Sequence, residues 1–345
     1  MTNPTSQPPA PPVGPSVVGP SVPLFVGIDV AKDKLDLARS DSDKVVTYPN
    51  TLDGHRKIIE SFEDHRPTLI VVEATGGLER ALADALLDAG LPVAIVQPGR
   101  VRAFAKCVGV LAKTDTIDAR VIRDFGRLVE PQLAQKRSKN AVELEALVTC
   151  RRQLLHVRTE QTNRRGSTRS KAALKAIDAV LGAVEKQIDS LDEQIRELIE
   201  SDDDFDSTDG LLRSVPGIGP VASATLISEL GELGSVDRRE AAALVGVAPY
   251  NDDSGRSLGQ RCIHGGRTSV RNTLYMATLA AMRCNPVIKI FADRLKAKGK
   301  RNKVVIVAAM RKLATLLNVM LRDRLRWDQL AVVHALVAPS GGGAK

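Results

Sequence analysis

Along the first third of the chain, short apolar runs alternate with amphipathic stretches. LFVGIDV (24–30), DKLDLARS (33–40) and KVVTYPN (44–50) read as three consecutive antiparallel strands. HRKIIESFEDH (55–65) has helical spacing, and TLIVVEA (68–74) is a continuous apolar run of strand length. GLERALADALLDAG (77–90) returns to helical spacing and is closed by Gly90. LPVAIVQP (91–98) is another buried strand, and KTDTIDARVIRDF (113–125) opens the last helix of the series. The predicted order is β-β-β-α-β-α-β-α, a meander followed by crossover units. Right-handed crossovers lay the fourth strand parallel beside the first.

The period then lengthens. Leu174, Ile177, Leu181, Val184, Ile188, Leu191, Ile195 and Leu198 are spaced alternately by three and four residues, the seam of a coiled coil. A preceding helix, roughly 141–165, carries Leu144, Leu147, Val148, Leu154 and Leu155, with RRGSTRS (164–170) as a turn between the two. An intramolecular hairpin and a dimerisation arm both fit this pattern. SDDDFDSTD (201–209) reads as an acidic linker. LLRSVPGIGPVASATLISELGEL (211–233) reads as helix, PGIGP turn, helix, an element that resembles a helix-hairpin-helix, and VVIVAAMRKLATLLNVML (304–321) as a buried helix. The domains expected are a disordered leader (1–22), an α/β domain (23–135), a helical arm (140–200), the linker (201–209), a mainly α C-terminal domain (210–335) and a flexible tail (336–345).

Composition narrows the partners. The net charge is +8, and residues 251–330 hold 17 Lys and Arg against 5 Asp and Glu. The clustering points to a polyanionic partner. Aromatics make up 3% of the chain, which argues against stacking platforms for single-stranded bases. Cys107, Cys150, Cys262 and Cys284 form no CxxC pair, so neither a zinc site nor a disulfide framework is indicated, and a reducing cytoplasm is expected. The Pro-rich leader lacks the plan of a signal peptide, and no apolar run reaches membrane-spanning length.

The candidate chemistry lies in the acids. Asp29 falls in the first strand and Glu73 ends the fourth, so both reach one sheet edge, where α/β ligands bind. Asp115 and Asp118 share a helix face with Ile122, Phe125 and Val129, and so point inward. Thr114 suits an N-cap, and acids in a first turn also suit the helix dipole. Four carboxylates that converge require cations, and a pair of Mg²⁺ ions about 4 Å apart, with Mn²⁺ as a substitute, would satisfy them and support phosphoryl transfer. Asp33, Asp36 and Asp124 read as surface or helix-face residues.

In the PGIGP turn, the amides of Gly217 and Gly219 with the next helix N-terminus can hold a DNA phosphate, although a plain tight turn accounts for the motif nearly as well. In DDSGRSLGQRCIHGGRTSVR (252–271), Arg256, Arg261, Arg267 and Arg271 lie close enough in sequence to neutralise a phosphate. KIFADRLKAKGKRNK (289–303) has seven basic residues, among them Lys296, Lys298, Lys300 and Arg301, and reads as a phosphate-tracking surface. Ser254, taken alone, is a turn former. Ser257 is a second choice, and Ser269 reads as a helix cap.

GIDVAKDKLDLA, VVEATGG and KTDTIDA resemble the DEDD transposases of bacterial insertion sequences, whose N-terminal domain has the RuvC-like version of the ribonuclease-H-like fold. The family includes the pilin-gene invertases and the bridge-RNA-guided recombinases. LVGVAPYNDDSGRSLGQRCIHGGRTSVRNTLYMATLAAM (244–282) resembles its C-terminal transposase domain, so the resemblance spans essentially residues 24–325. It implies that the family's four acids fall on Asp29, Glu73, Asp115 and Asp118, with Lys113 before the third. It also implies that Ser254 is the DNA nucleophile of a composite active site, forming a phosphoserine link. Donor and target duplex DNA, a noncoding guide RNA, a homo-oligomer (dimer or dimer of dimers) and a place in the bacterial cytoplasm at the nucleoid follow from the same resemblance. A metal-only RuvC-like nuclease, in which Ser254 plays no part, is the alternative.

Overall fold

The computed structural model describes residues 22–110, 115–250 and 262–330, with the main chain alone for 115–117. It divides into two compact units, 1–136 and 137–345.

In the first unit, β1 (Phe25–Val30), β2 (Lys34–Arg39) and β3 (Val45–Pro49) form the antiparallel meander. Then come α1 (Leu52–Glu60), capped by the Thr51 side chain, β4 (Leu69–Glu73), α2 (Arg80–Asp88) and β5 (Val93–Val96). The five-stranded sheet has the order β3-β2-β1-β4-β5, with β4 parallel to both β1 and β5. Apolar residues on both faces of the strands mean that both faces are covered. One layer packs Val26, Ile28, Ile70 and Val72 under Ile58, Leu82 and Leu86 of α1 and α2. On the other face lie α3 (Pro98–Cys107) and α4 (Asp115–Val129), through Val101, Ala105, Val121, Ile122 and Phe125.

Helix α3 is absent from the expected order. Pro98 opens it at the first helical position, where the missing N–H costs nothing, and Phe104 meets Phe125 of α4 edge to face, with ring centres 5.6 Å apart. Val129, expected on the inward face of α4, is 40% exposed because the last turn of the helix runs past the edge of the core.

The second unit begins with α5 (Lys139–Ser167) and α6 (Lys171–Glu200), joined by three residues. Asn140 bonds Asp202, Arg151 pairs with Asp192 and Arg165 with Asp178, so the two helices run antiparallel along their length. The α6 seam is therefore covered within the chain. Val184, Ile188, Leu191 and Ile195 are buried, Leu198 is half covered with Ile199 buried beside it, and Leu174, Ile177 and Leu181, toward the tip, are half covered. The base of the hairpin is rooted by Leu144, Val148, Ile195 and Ile199 against Ala224.

The acidic stretch read as a linker opens a helix instead, α7 (Asp203–Arg213). Asp202 caps it, and the remaining acids occupy the first turn, where the dipole favours them. Next come α8 (Pro220–Glu229), α9 (Arg238–Val245), a two-residue pairing of β6 (Pro249–Tyr250) with β7 (Cys262–Ile263), α10 (Thr268–Cys284), α11 (Pro286–Ala297) and α12 (Asn302–Asp323). Helix α12 corrects the reading that no run reaches spanning length. Its 22 residues are long and apolar enough to cross a membrane, yet half of that stretch is buried in this unit, with Leu313 and Leu317 fully enclosed.

Candidate active site

Pleating sends Phe25, Gly27 and Asp29 of β1 to one face of the sheet and Val26, Ile28 and Val30 to the other. The register carries this parity to the neighbouring strands. Gly27 lies opposite Val71 of β4 and Ala38 of β2, and Asp29 lies opposite Asp36. Ile28 pairs with Val72, so Asp29 and Glu73 stand side by side one residue further on, where the parallel strands end. Both are half buried, and both have partners within the fold.

Helix α4 lies on this same face at close range. A Cβ on Gly27 would fall 2.2 Å from the Arg123 nitrogen and 2.4 Å from the Ala119 carbonyl oxygen. One on Gly126 would fall 2.6 Å from Cγ2 of Val71. Two glycines therefore set the helix-to-sheet distance, and Ala119, Ile122 and Phe125 fill the interface. Traced back from Gly126 above Leu69 and Val71 to Ala119 above Gly27, the helix heads toward the carboxyl end of β1. Its first turn carries Asp118, half buried, and begins at Asp115, whose side chain is outside the described residues, as is Lys113. Asp29 and Glu73 are thus brought together, and the helix bearing Asp118 is laid over their face. Among the described residues, no three His, Cys, Asp or Glu side chains form a tight cluster suited to a metal ion.

Two further acids support this edge. Asp36, read from the sequence as a surface residue, is 5% exposed and accepts hydrogen bonds from Lys34 Nζ (2.9 Å) and Thr47 Oγ1 (2.5 Å). The reading failed because β2 is covered on both faces, so alternation along the strand does not separate inside from outside. Glu79 is buried, and its carboxylate accepts from the backbone nitrogens of Thr75 (2.8 Å) and Gly77 (2.9 Å). It fixes the loop that leaves Glu73, in which Gly76 and Gly77 take positive φ. The signal in the sequence was a carboxylate two residues past a Gly-Gly turn.

In the second unit, β6 and β7 bracket residues 251–261. Ser254, Ser257, Arg256 and Arg261 all fall in that segment, outside the described residues. Beside the ribbon is an open groove of about 1420 Å³, with Phe291, Val307 and Leu316 in its lining and Arg238, Arg239, Lys303, Arg311 and Lys312 also bordering it.

Arg267 is engaged internally. It donates to Glu232 (2.6 Å) and to the Glu229 carbonyl (2.8 Å). Burial alone would raise the Glu232 pKa, but the hydrogen bonds and charge of Arg267 outweigh it and hold the carboxyl below its ordinary range. Ser269, read as a cap, instead donates its hydroxyl to Glu229, which Arg152 of α5 also engages. Arg271 braces the Gly265 carbonyl at 2.6 Å.

Gly217 has φ of 104° and packs on the α10 backbone, where a Cβ would meet the Ala281 nitrogen at 2.6 Å. Gly219 is exposed at the start of α8, with no side-chain cap on that helix. Lys296, Lys298, Lys300 and Arg301 are exposed around the turn between α11 and α12. The four cysteines are exposed thiols.

The first unit thus carries an acid-ended parallel strand pair under a close-packed helix, and the second unit is mainly helical. Residues 26–168 match a family described as transposase, of the DEDD type associated with IS110, and residues 209–293 match the transposase IS116/IS110/IS902 family. The pilin gene-inverting protein of Moraxella bovis is 30% identical over 319 residues, covering 88% of this chain and 98% of that protein. The pilin gene-inverting protein of Moraxella lacunata is also 30% identical over the same length and shares. A 43.6 kDa protein of insertion element IS110 from Streptomyces coelicolor is 29% identical over 145 residues, 41% of this chain and 35% of that protein. The chain belongs to the IS116/IS110/IS902 family of insertion-sequence transposases, enzymes of DNA recombination.

Proposed function

We propose that the protein cuts and rejoins donor and target duplex DNA through a covalent serine intermediate, on a first unit of RuvC-like, ribonuclease-H-like type. The observation that carries the reading is the register that sets Asp29 beside Glu73 under the helix bearing Asp118. Asp29, Glu73, Asp115 and Asp118 would hold the divalent metal. Their hard oxygen donors suit Mg²⁺, two ions in all, or Mn²⁺ in its place. Bound there, the metal supplies charge neutralisation at the reacting phosphate.

Asp36 and Glu79 orient the backbone on which two of those acids sit. Ser254 attacks a phosphodiester through Oγ and loses its proton. The bond from phosphorus to the leaving deoxyribose oxygen breaks, and that oxygen takes up a proton. The phosphoserine ester keeps the energy of the broken bond, so a second DNA hydroxyl can displace the serine and rejoin the strand. Arg256 and Arg261 neutralise the phosphate, Gly219 offers its helix N-terminus to the backbone, and Lys296, Lys298, Lys300 and Arg301 track the duplex. Target choice rests with a structured noncoding guide RNA. The enzyme acts as a dimer or dimer of dimers at the bacterial nucleoid, in the cytoplasm.

The test is a denaturation-resistant adduct between DNA and a peptide containing Ser254, formed only with divalent metal present. Ser254→Ala should bind DNA and form no adduct. Cleaved DNA that runs free of protein, with cutting retained in Ser254→Ala, would establish the metal-only nuclease instead. An adduct lost in Ser257→Ala but kept in Ser254→Ala would move the nucleophile. Sequencing RNA that copurifies with the protein tests the guide.

A further inference from the structure

The charge count that places the positive surface at 251–330 conceals a second polarity in the helical hairpin. Residues 158–175, at its tip, contain Arg158, Arg164, Arg165, Arg169, Lys171 and Lys175 against the single acid Glu160, a net of +5. Residues 185–209, at the base of α6 and the start of α7, contain eleven Asp and Glu against Lys186 and Arg196, a net of −9. The tip and the stretch that runs from the base of α6 into α7 therefore differ by fourteen charges.

The tip cations are presented outward. All six are exposed. Arg165 is paired with Asp178 at 2.6 Å, and none of the other five has an ion-pair partner among the described residues. At about 1.5 Å per residue, the tip is carried about 35 Å from Leu144, which is buried at the root. The acidic base cannot share a polyanion with the tip, so any such partner is engaged at the far end.

The tip also lacks aromatic side chains, for residues 158–175 contain no Phe, Tyr or Trp. Unstacked bases would find no platform there, whereas a regular phosphate array needs none. Thr159, Thr162 and Thr168 bond carbonyls of their own helix rather than facing outward as readers of base edges.

We propose that the hairpin tip is a separate docking point for the phosphate backbone of duplex DNA, bound by charge without reading sequence. This rests on the reading of the protein as an enzyme acting on duplex DNA and adds a contact that its cutting chemistry does not require. Duplex DNA is the occupant because the chain belongs to a family of DNA recombination enzymes, and a duplex offers an unbroken phosphate array to cations that have no aromatic platform beside them.

The experiment measures affinity of the full-length protein for a DNA duplex and an RNA duplex, each of about 30 base pairs and arbitrary sequence, across a range of salt concentrations. The triple variant R164Q/R169Q/K171Q should bind the DNA duplex about tenfold or more weakly at low salt. Its slope of log affinity against log salt should be shallower by about 2–3, near 0.9 for each lost phosphate contact on B-DNA. A loss confined to the RNA duplex would overturn the assignment to DNA. A K186Q control at the acidic base should leave both slopes unchanged, and circular dichroism should show the triple variant as helical as the parent.

Equal affinity and slope for parent and triple variant on both duplexes would overturn the proposal while leaving the nucleic-acid reading intact. A parent protein that binds neither duplex would overturn both. A loss without any change of salt slope would also overturn the proposal, because the contact would not be to phosphate.

Discussion

Gly27 sets how near the helix of Asp118 comes to the strand of Asp29. In Gly27→Ala, the new methyl would meet backbone atoms of Arg123 and Ala119, which cannot rotate away. The helix must lift, at a cost of about 1–3 kcal/mol in the first unit, and strand cleavage should fall with it. Urea unfolding and a nicking assay read the two effects. A variant of unchanged stability would show that the close packing is not the constraint. Asp118→Asn and Glu73→Gln make the opposite pair. They remove charge without changing volume, so they should abolish cleavage and leave the unfolding free energy within about 0.5 kcal/mol of the parent. Full cleavage in Mg²⁺ by either would remove that acid from the site. The acids were legible in the sequence because a carboxylate at the end of an apolar strand interrupts a pattern. Gly27 was not, since a glycine in GIDV carries no mark of the helix that will cross it. Asp36 and Glu79 were missed because their roles depend on neighbours distant in sequence or on backbone groups, which no periodicity encodes.

The long hairpin shows how an element can be legible while its partner is not. The seam of α6 was plain from its spacing, and the spacing says only that something covers it. In the structure α5 covers it, with Val184, Ile188, Leu191, Ile195 and Ile199 buried. Ile188→Glu should therefore open the hairpin. Lost helix signal at 222 nm, with the molar mass by light scattering unchanged, is the expected outcome. A variant of full helicity that falls from oligomer to monomer would show that the seam joins protomers. Helix α3 went unpredicted because its apolar positions are few, and the acids of α7 resembled a linker because a helix start and a solvated loop favour the same residues. The ion pair between α10 and the end of α8 adds a pH dependence. Glu232 is held below its ordinary pKa, so its contribution is present above the unfolded value of 4.5 and is lost as pH falls through the lower folded value. Acid unfolding of the parent should steepen below about pH 4, and Glu232→Gln should flatten that limb. Identical acid limbs would show that the Arg267 pair contributes no net stability, as surface-screened pairs often do not.

At the scale of the whole molecule, two cores are built from different alphabets. The first unit closes its sheet between two helical layers, and the second buries helix against helix around α12. Residues 1–136 expressed alone should then unfold cooperatively, because every strand partner and both covering layers lie inside that span. The acids proposed as metal ligands are all in this unit, so divalent metal should stabilise it without the rest of the chain. Mg²⁺ at ten times its Kd adds about 1.4 kcal/mol to any fold that holds it only when native. Glu73→Ala should erase that increment while leaving the cooperative transition in place. Residues 137–345, which carry none of the four acids, should show no such increment at the same ionic strength. An equal shift in both fragments would reveal a general salt effect and remove the evidence for a bound ion. A first fragment that unfolds without cooperativity would show that its core needs the second unit, and the division of labour drawn from the two cores would fail with it.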